Sequence, residues 1–429
     1  MGIERLSVEE WRASPHARRR LDLGATPEQA AAVREICAHV AQDGDRALRA
    51  LGVRFDGWRP DPGESFAVPP EELAGAIDRL TPEQQAALRL AADRIRRYHE
   101  VERFEPVQAV GALELRVRPV ERAGLYVPGG RASYPSTVLM TAIPARVAGV
   151  REVVLATPPG ADGRVPPAVL AAADLTGIDT VYRVGGAQAI AALAYGTETV
   201  ARVDVVAGPG NVFVTLAKGE VFGQVGLDGV AGPTEIVVVA DGTASAELVA
   251  ADLVSQLEHD PLAFALLATD SAALADAVEE AIASELRTLE RGDTVRAATC
   301  CLVVTESLDA ALSIANEIAP EHLELLGEHA EQRLGAVANA GAVFVGPYAP
   351  VSLGDYVIGP NHTLPTSGAA RFGSPLGVHT FLKRTSVARV DRTEFAELEE
   401  AARVLAEVEG FGAHARAIEL RGLREGAKR

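Results

Sequence analysis

The chain has 429 residues, 48% hydrophobic and 23% charged, long enough for more than one buried core and ordinary in polarity. Its formal net charge of -18 excludes nucleic acid and anionic membrane as expected partners, because both need a basic surface. No apolar run of about 18 residues occurs, and Met1-Gly2-Ile3-Glu4-Arg5-Leu6 has no apolar signal core, so neither a transmembrane helix nor a signal peptide is expected.

The N-terminal quarter reads as helical. Thr26-Pro27-Glu28-Gln29 and Thr81-Pro82-Glu83-Gln84 each combine a Thr cap, Pro at the first helical position and Gln at the third. These starts predict helices running to about Arg49 and about Val101. From Leu113 the period changes to two: Leu113, Leu115 and Val117 alternate with Glu114, Arg116 and Arg118, as in a half-buried strand. Strand-like runs follow near residues 123–127, 153–156, 180–184 and 203–207. Each ends in a small-residue turn and leads into an alanine-rich helix, the pattern of a parallel sheet covered by helices. The pattern restarts at Glu235-Ile236-Val237-Val238-Val239-Ala240 and continues with strands at 263–268, 297–305 and 342–345. A helix is expected from about Ala244 to Glu258, and a helical, charged tail after about Leu376. The fold class is therefore α/β: two incomplete Rossmann-like parallel-sheet domains, a helical N-terminal segment and a helical C-terminal tail.

Cys37 and the adjacent pair Cys300-Cys301 are the only cysteines. Consecutive strand residues face opposite ways, so the pair suits buried thiols in a reducing compartment better than a metal site.

Three glycine turns follow strands of the first sheet: Gly129-Gly130, Gly185-Gly186-Ala187-Gln188 and Gly208-Pro209-Gly210-Asn211. Such turns let backbone approach a ligand, and helix N-termini favour phosphate. None is a Gly-x-Gly-x-x-Gly fingerprint, so they point to a nucleotide without naming it.

Six of the nine histidines lie after residue 258. In Ser255-Gln256-Leu257-Glu258-His259-Asp260, Gln256 and His259 share a helix face, and an imidazole with an oxygen donor is half of a zinc or manganese site. Spacing alone leaves Glu258 and Asp260 open as co-ligands. In Ala319-Pro320-Glu321-His322-Leu323, Pro320 ends a helix and places Glu321 and His322 on an irregular segment, where they can serve one pocket as acid and base. Glu328-His329 opens a polar helix and reads as surface. The segment from Gly354 to Thr366 packs Asp355, Asn361 and His362 among Gly and Pro in what reads as a long functional loop. Glu409 and His414, in the charged tail, read as surface on their own.

Taken together, Ala231-Gly232-Pro233-Thr234-Glu235, the Ser255–Asp260 and Ala319–Leu323 segments, Gly354-Asp355-Tyr356 and Asn361-His362-Thr363-Leu364-Pro365-Thr366 resemble the histidinol dehydrogenase family, from about Leu125 to about Arg421. The resemblance implies zinc bound by Gln256, His259, Asp355 and His414, and NAD contacts at Tyr126, Gln188 and Asn211. It implies substrate contacts at Thr234, His322, His362 and Glu409 besides the zinc ligands. Glu321 and His322 are then catalytic, His322 taking the alcohol proton and Glu321 activating water. It further implies oxidation of L-histidinol to L-histidine with two NAD through histidinal, in a cytoplasmic homodimer whose tails reach the partner's site. Thr234 departs from the family's common Ser but keeps the hydroxyl. The matching division of the chain is 1–24 as N-terminal segment, 25–123 with 232–376 as zinc domain, 124–231 as NAD domain and 377–429 as tail. A zinc hydrolase using Glu321, a silent ligand-binding relative, and a dehydrogenase of another amino or sulfonated alcohol are the competing expectations.

Overall fold

The computed structural model describes residues 3–18, 25–102, 104–129, 133–287, 289, 295 and 297–423. Contacts divide the chain into one unit of Met1–Arg103 with Val120–Phe381 and another of Phe104–Pro119 with Leu382–Arg429. Strands are numbered in chain order: β1 (Ile3–Ser7), β2 (Val107–Val110), β3 (Leu113–Pro119), β4 (Arg122–Tyr126), β5 (Glu152–Thr157), β6 (Thr180–Arg183), β7 (Val205–Ala207), β8 (Gly226–Leu227), β9 (Glu235–Ala240), β10 (Phe264–Thr269), β11 (Thr299–Val304), β12 (His322–Leu326), β13 (Ala342–Val345) and β14 (Leu382–Ala388).

The first unit holds two parallel sheets, as the alternation of apolar runs and helices predicts. One has five strands in the order β6-β5-β4-β7-β8. Its strands are short and almost wholly apolar because helices cover both faces. The helix Pro27–Phe55 packs against helices Gly186–Tyr195 and Val212–Val221. The stripe formed by Val33, Ile36, Val40, Leu48 and Leu51 enters this core. Both predicted capping boxes form, at Thr26 and Thr81. The first helix outruns the expected end near Arg49 because Gly44 takes a positive φ of 53° and the chain kinks without stopping. The apolar stripe of Pro27–Phe55 joins this helix to the five-stranded sheet.

The other sheet has six strands in the order β1-β11-β10-β9-β12-β13, all parallel. Cys300 and Cys301 are buried thiols outside any disulfide, and their side chains enter the cores on opposite faces of this sheet, as the strand period requires. Edge strand β1 was not expected, because Glu4 and Arg5 at its centre are exposed and break the apolar pattern.

The second unit contains the antiparallel sheet β14-β3-β2 and the helices Arg392–Val408 and Gly412–Leu423, which pack on each other. The tail after Leu376 is therefore not helical throughout. Strand β14 escaped notice because most of its residues are exposed and no period of two survives. Among the described residues, no helix is long and apolar enough to cross a membrane.

Candidate active site at the sheet edges

The amino ends of β9 and β12 gather the chemistry of the six-stranded sheet. Thr234 precedes β9, Glu321 precedes β12, and His322 is the first residue of β12 rather than part of an irregular segment. The pairing of His322 with Ile236 of β9 and Ala342 of β13 draws it into the ladder. Ahead of it, Ala319 ends the helix Leu308–Ile318 in the left-handed region at φ 54°, a conformation that costs a non-glycine residue free energy and is over-represented at functional sites.

Glu321 is 7% exposed. The Thr234 hydroxyl donates to its Oε2 at 2.5 Å, and the Glu235 backbone N–H donates to the same oxygen at 3.1 Å. Gln256 Nε2 in turn donates to Thr234 Oγ1. Burial drives the Glu321 carboxyl up to about 7, against the pull of these two hydrogen bonds and with further help from the negative charge of Asp355. His322 is also buried, and burial lowers its proton affinity below the ordinary imidazole value. Its Nδ1 lies 3.2 Å from the Glu235 carbonyl oxygen and 3.6 Å from Glu321 Oε2. With Nδ1–H donating to the carbonyl, Nε2 keeps the lone pair.

Gln256 sits in the last turn of the helix Ala246–Leu257 and is 2% exposed. His259 follows just beyond the helix and is exposed. Asp260, left open as a co-ligand by spacing alone, accepts the Leu262 N–H at 2.8 Å in an exposed turn. Asp355 lies on a short helix, Val351–Tyr356, and not in a loop as expected. The Gly and Pro residues around it masked one and a half turns of helix. His362 does lie in a loop. Its Nδ1 is 2.9 Å from the Asp355 carbonyl oxygen and its Nε2 is 3.3 Å from Thr137 Oγ1, and burial lowers its proton affinity. The negative charge of Asp355 works against that effect, whereas His322 and His259 add to it, so all four groups act on one neighbourhood. Asn361 Nδ2 donates to the Met140 carbonyl at 2.5 Å. That bond and the Thr137 contact dock the loop on the helix Pro135–Ala148, which follows β4 in the other sheet.

The five-stranded sheet offers its carboxyl ends. Tyr126, the last residue of β4, is buried, and its hydroxyl accepts the Gly186 N–H at 3.0 Å. Burial raises the phenol to about 12. Gln188 is 2% exposed and its Nε2 lies 3.5 Å from Asp56 Oδ2. Asn211 is the exposed N-cap of Val212–Val221, its Oδ1 accepting from Phe213 and Val214 at 3.1 and 3.2 Å. Gly130 lies outside the described residues.

Two features of this edge went unread in the sequence. Asp56, at the end of the first long helix, stands beside Gln188, with its carboxyl raised to about 6 by burial. Lys218 is buried and reaches back to the Gly208 carbonyl and to Asp228, 2.6 Å each, fixing the third glycine turn. A Cβ on Gly208 would meet the Tyr126 carbonyl oxygen at 2.1 Å, so only glycine fits there. The rarity of lysine was the available signal: only three of the 41 basic residues are Lys.

Glu409 and His414 belong to the second unit. Glu409 caps the end of Arg392–Val408, and His414 lies in Gly412–Leu423 with its ring 5.1 Å from that of Phe411; both are exposed. His329 is exposed as predicted. Among the described residues, three ligand atoms from His, Cys, Asp and Glu come within 4.8 Å of one another only at Glu4, His16 and Cys301. Of the expected zinc residues, Gln256 offers an amide oxygen and so falls outside those four residue types.

A buried carboxyl held near neutrality beside a neutral imidazole, with a glycine-turned parallel sheet next to it, defines an α/β enzyme built to move protons next to a bound ligand. A family model for histidinol dehydrogenase matches residues 20–422. The chain is 51% identical over 400 residues to histidinol dehydrogenase of Moorella thermoacetica, covering 91% of this chain and 94% of that one. It is 45% identical over 427 residues to that of Bacillus subtilis, covering 98% and 97%. The crystal structure of histidinol dehydrogenase from Elizabethkingia anophelis superposes with a TM-score of 0.90 at 32% identity, covering 99% of each chain. The chain belongs to the histidinol dehydrogenase family and is an oxidoreductase.

Proposed function

We propose that this enzyme oxidises L-histidinol to L-histidine in two two-electron steps through histidinal, using two NAD+ and one zinc ion. The observation that carries this reading is the chain of contacts from Gln256 through Thr234 to Glu321, with His322 alongside. It joins a metal-type oxygen donor to an acid–base pair.

The donor set suits zinc. With Gln256 Nε2 committed to Thr234, its Oε1 is left for a cation, which the His259 imidazole and the Asp355 carboxylate would also hold. His414 from the partner subunit's tail would complete the set, and Glu409 from the same tail would touch substrate. Zinc, when bound, supplies a fixed anchor for the substrate's imidazole and amine nitrogens, and NAD+ supplies the hydride acceptor. Tyr126, Gln188 and Asn211 are the proposed NAD contacts, at the carboxyl edge where helix N-termini favour phosphate.

In the first step the hydroxyl proton goes to His322 Nε2 as the carbinol carbon loses hydride. Burial keeps that imidazole neutral and ready to accept. In the second step water adds to the aldehyde. Glu321, with its carboxyl near 7, takes a proton from that water, and His322 accepts the hydrate's hydroxyl proton as the second hydride leaves, giving the carboxylate. His362 and Thr234 complete the substrate contacts. The buried thiols at Cys37, Cys300 and Cys301 suit a cytoplasmic homodimer in a reducing compartment.

Purified protein with zinc, NAD+ and L-histidinol is expected to yield two NADH per histidine formed. No NADH above a chelator-treated control would sink the proposal. Turnover of another amino or sulfonated alcohol in preference to histidinol would redirect it.

A further inference from the structure

Glu324 lies two residues after His322 on β12, on the same strand face. It is 1% exposed and sits beside the apolar cluster of Leu253, Leu326, Phe344 and Val351. Its Oε1 accepts the Val351 N–H at 3.1 Å, at the start of the helix that carries Asp355. Its Oε2 is buried with no N–H or hydroxyl donor in reach. The group that meets it is another acid, Asp252. Asp252 stands one turn before Gln256 on the helix Ala246–Leu257, on the same helical face. Two carboxyls meeting in an apolar interior hold together only if one keeps its proton, because a pair of anions would repel and be stripped of water. Burial raises both carboxyls, and because Glu324 is almost fully enclosed whereas Asp252 is only half-buried and keeps some water, Glu324 is the protonated partner.

We propose that Glu324 is a positioning residue that works as a neutral acid: its O–H donates to Asp252 while its carbonyl oxygen accepts from Val351. One side chain then ties together the helix bearing Gln256, the strand bearing His322 and the helix bearing Asp355. Glu324 touches no substrate; it holds the elements that do. The inference rests on the zinc and catalytic roles proposed for those residues.

Two variants and one spectrum test it. Glu324→Gln keeps an N–H donor for Asp252 and a carbonyl for Val351, so zinc affinity and kcat should stay within about threefold of the parent. Glu324→Leu keeps volume and loses both bonds, and should lose zinc affinity or kcat by about 10- to 100-fold, as supporting residues around metal sites do. Zinc affinity is read by competition with a chromogenic chelator, without histidinol or NAD. In the parent protein the infrared spectrum near neutral pH should contain a protonated-acid C=O band that Glu324→Gln removes. Absence of that band overturns the proposal whether or not either variant folds. A folded Glu324→Leu with parental zinc affinity and kcat overturns it too, as does a Glu324→Gln as damaged as Glu324→Leu. If the parent protein binds no zinc and leaves histidinol unoxidised, the functional reading fails, while the band still tests the shared proton.

Discussion

The two parallel sheets of the first unit present opposite ends to the site. In the five-stranded sheet the proposed site residues follow the strands: Tyr126 closes β4, Gln188 lies in the first turn of the helix after β6, and Asn211 opens the helix after β7. In the six-stranded sheet they precede the strands: Thr234 before β9, Glu321 and His322 at the start of β12, and Gln256 in the last turn of a helix. Helices in a parallel sheet run against the strands, so the first edge offers helix N-termini and the second offers a helix C-terminus. The peptide dipoles make the first edge receptive to anions and the second to cations. Under the proposed function, one architecture turned end for end would supply a seat for a dinucleotide's phosphates and a seat for a metal, and the usual rule of carboxyl-end binding would locate only half of the site.

The sharpest test of the cation edge is His322→Ala, which should lower kcat by about 10²- to 10⁴-fold with either histidinol or histidinal as substrate. A loss confined to one substrate would break the assignment of His322 to both steps. Next in size is Glu321→Gln, expected to slow histidinal oxidation by about 10²-fold while leaving the alcohol step nearly intact. Equal slowing of both steps would reject the division of labour. In the parent enzyme the histidinal step should rise with pH through about 7, because Glu321 accepts a proton only when ionised; the variant should lose that limb. Stability should run the other way. The folded carboxyl titrates near 7 and the unfolded one near 4.5. The native state therefore holds the extra proton between those values and loses stability as pH rises through them, an effect that Glu321→Gln should flatten in pH-dependent urea melts.

A further test asks whether the cation edge is complete within one chain. Mixing His414→Ala with His322→Ala subunits should restore part of the activity, since one kind of site would then draw both intact residues from different chains. No recovery in a demonstrated heterodimer would confine each site to one subunit. The smallest effect belongs to the anion edge. Asn211→Ala should cost about 0.5–2 kcal/mol of stability as a lost N-cap and raise KM for NAD+. Asn211→Asp keeps the cap but sets a negative charge beside the proposed phosphate seat, so it should raise that KM without lowering Tm.

The contrast between the edges also marks what could be read in advance. Apolar runs such as Glu235–Ala240 and Val153–Ala156 announced buried parallel strands, and Thr26 and Thr81 announced their helices, because these signals are local. Strands β1, β2 and β14 carry mostly exposed residues, and the pairing partners of β1 and β14 lie far away in the chain. The glycine turns were legible as a ligand edge, whereas Asp56 and Lys218 were not, since each acts on a loop that spacing does not connect to it. Gln256 could not be preferred to Asp260 from position alone. The fold separates them by burying one against Thr234 and leaving the other in an exposed turn. Glu324 and Asp252 looked like ordinary charges, and only the pairing of β12 with β9, on which the helix Ala246–Leu257 packs, brings them together.

Strand β1 has a consequence for the protein as a material. It covers the flank of β11, whose Cys301 and Val303 would otherwise lie at an open, apolar sheet margin, and its exposed Glu4 and Arg5 turn a charged rim outward. Ser7 then starts the short helix that lays Trp11 over the same core. Removing residues 3–13 should leave the distant chemistry in place yet yield a chain that self-associates as its concentration rises. Light scattering would register that as colloidal failure, not as lost catalysis.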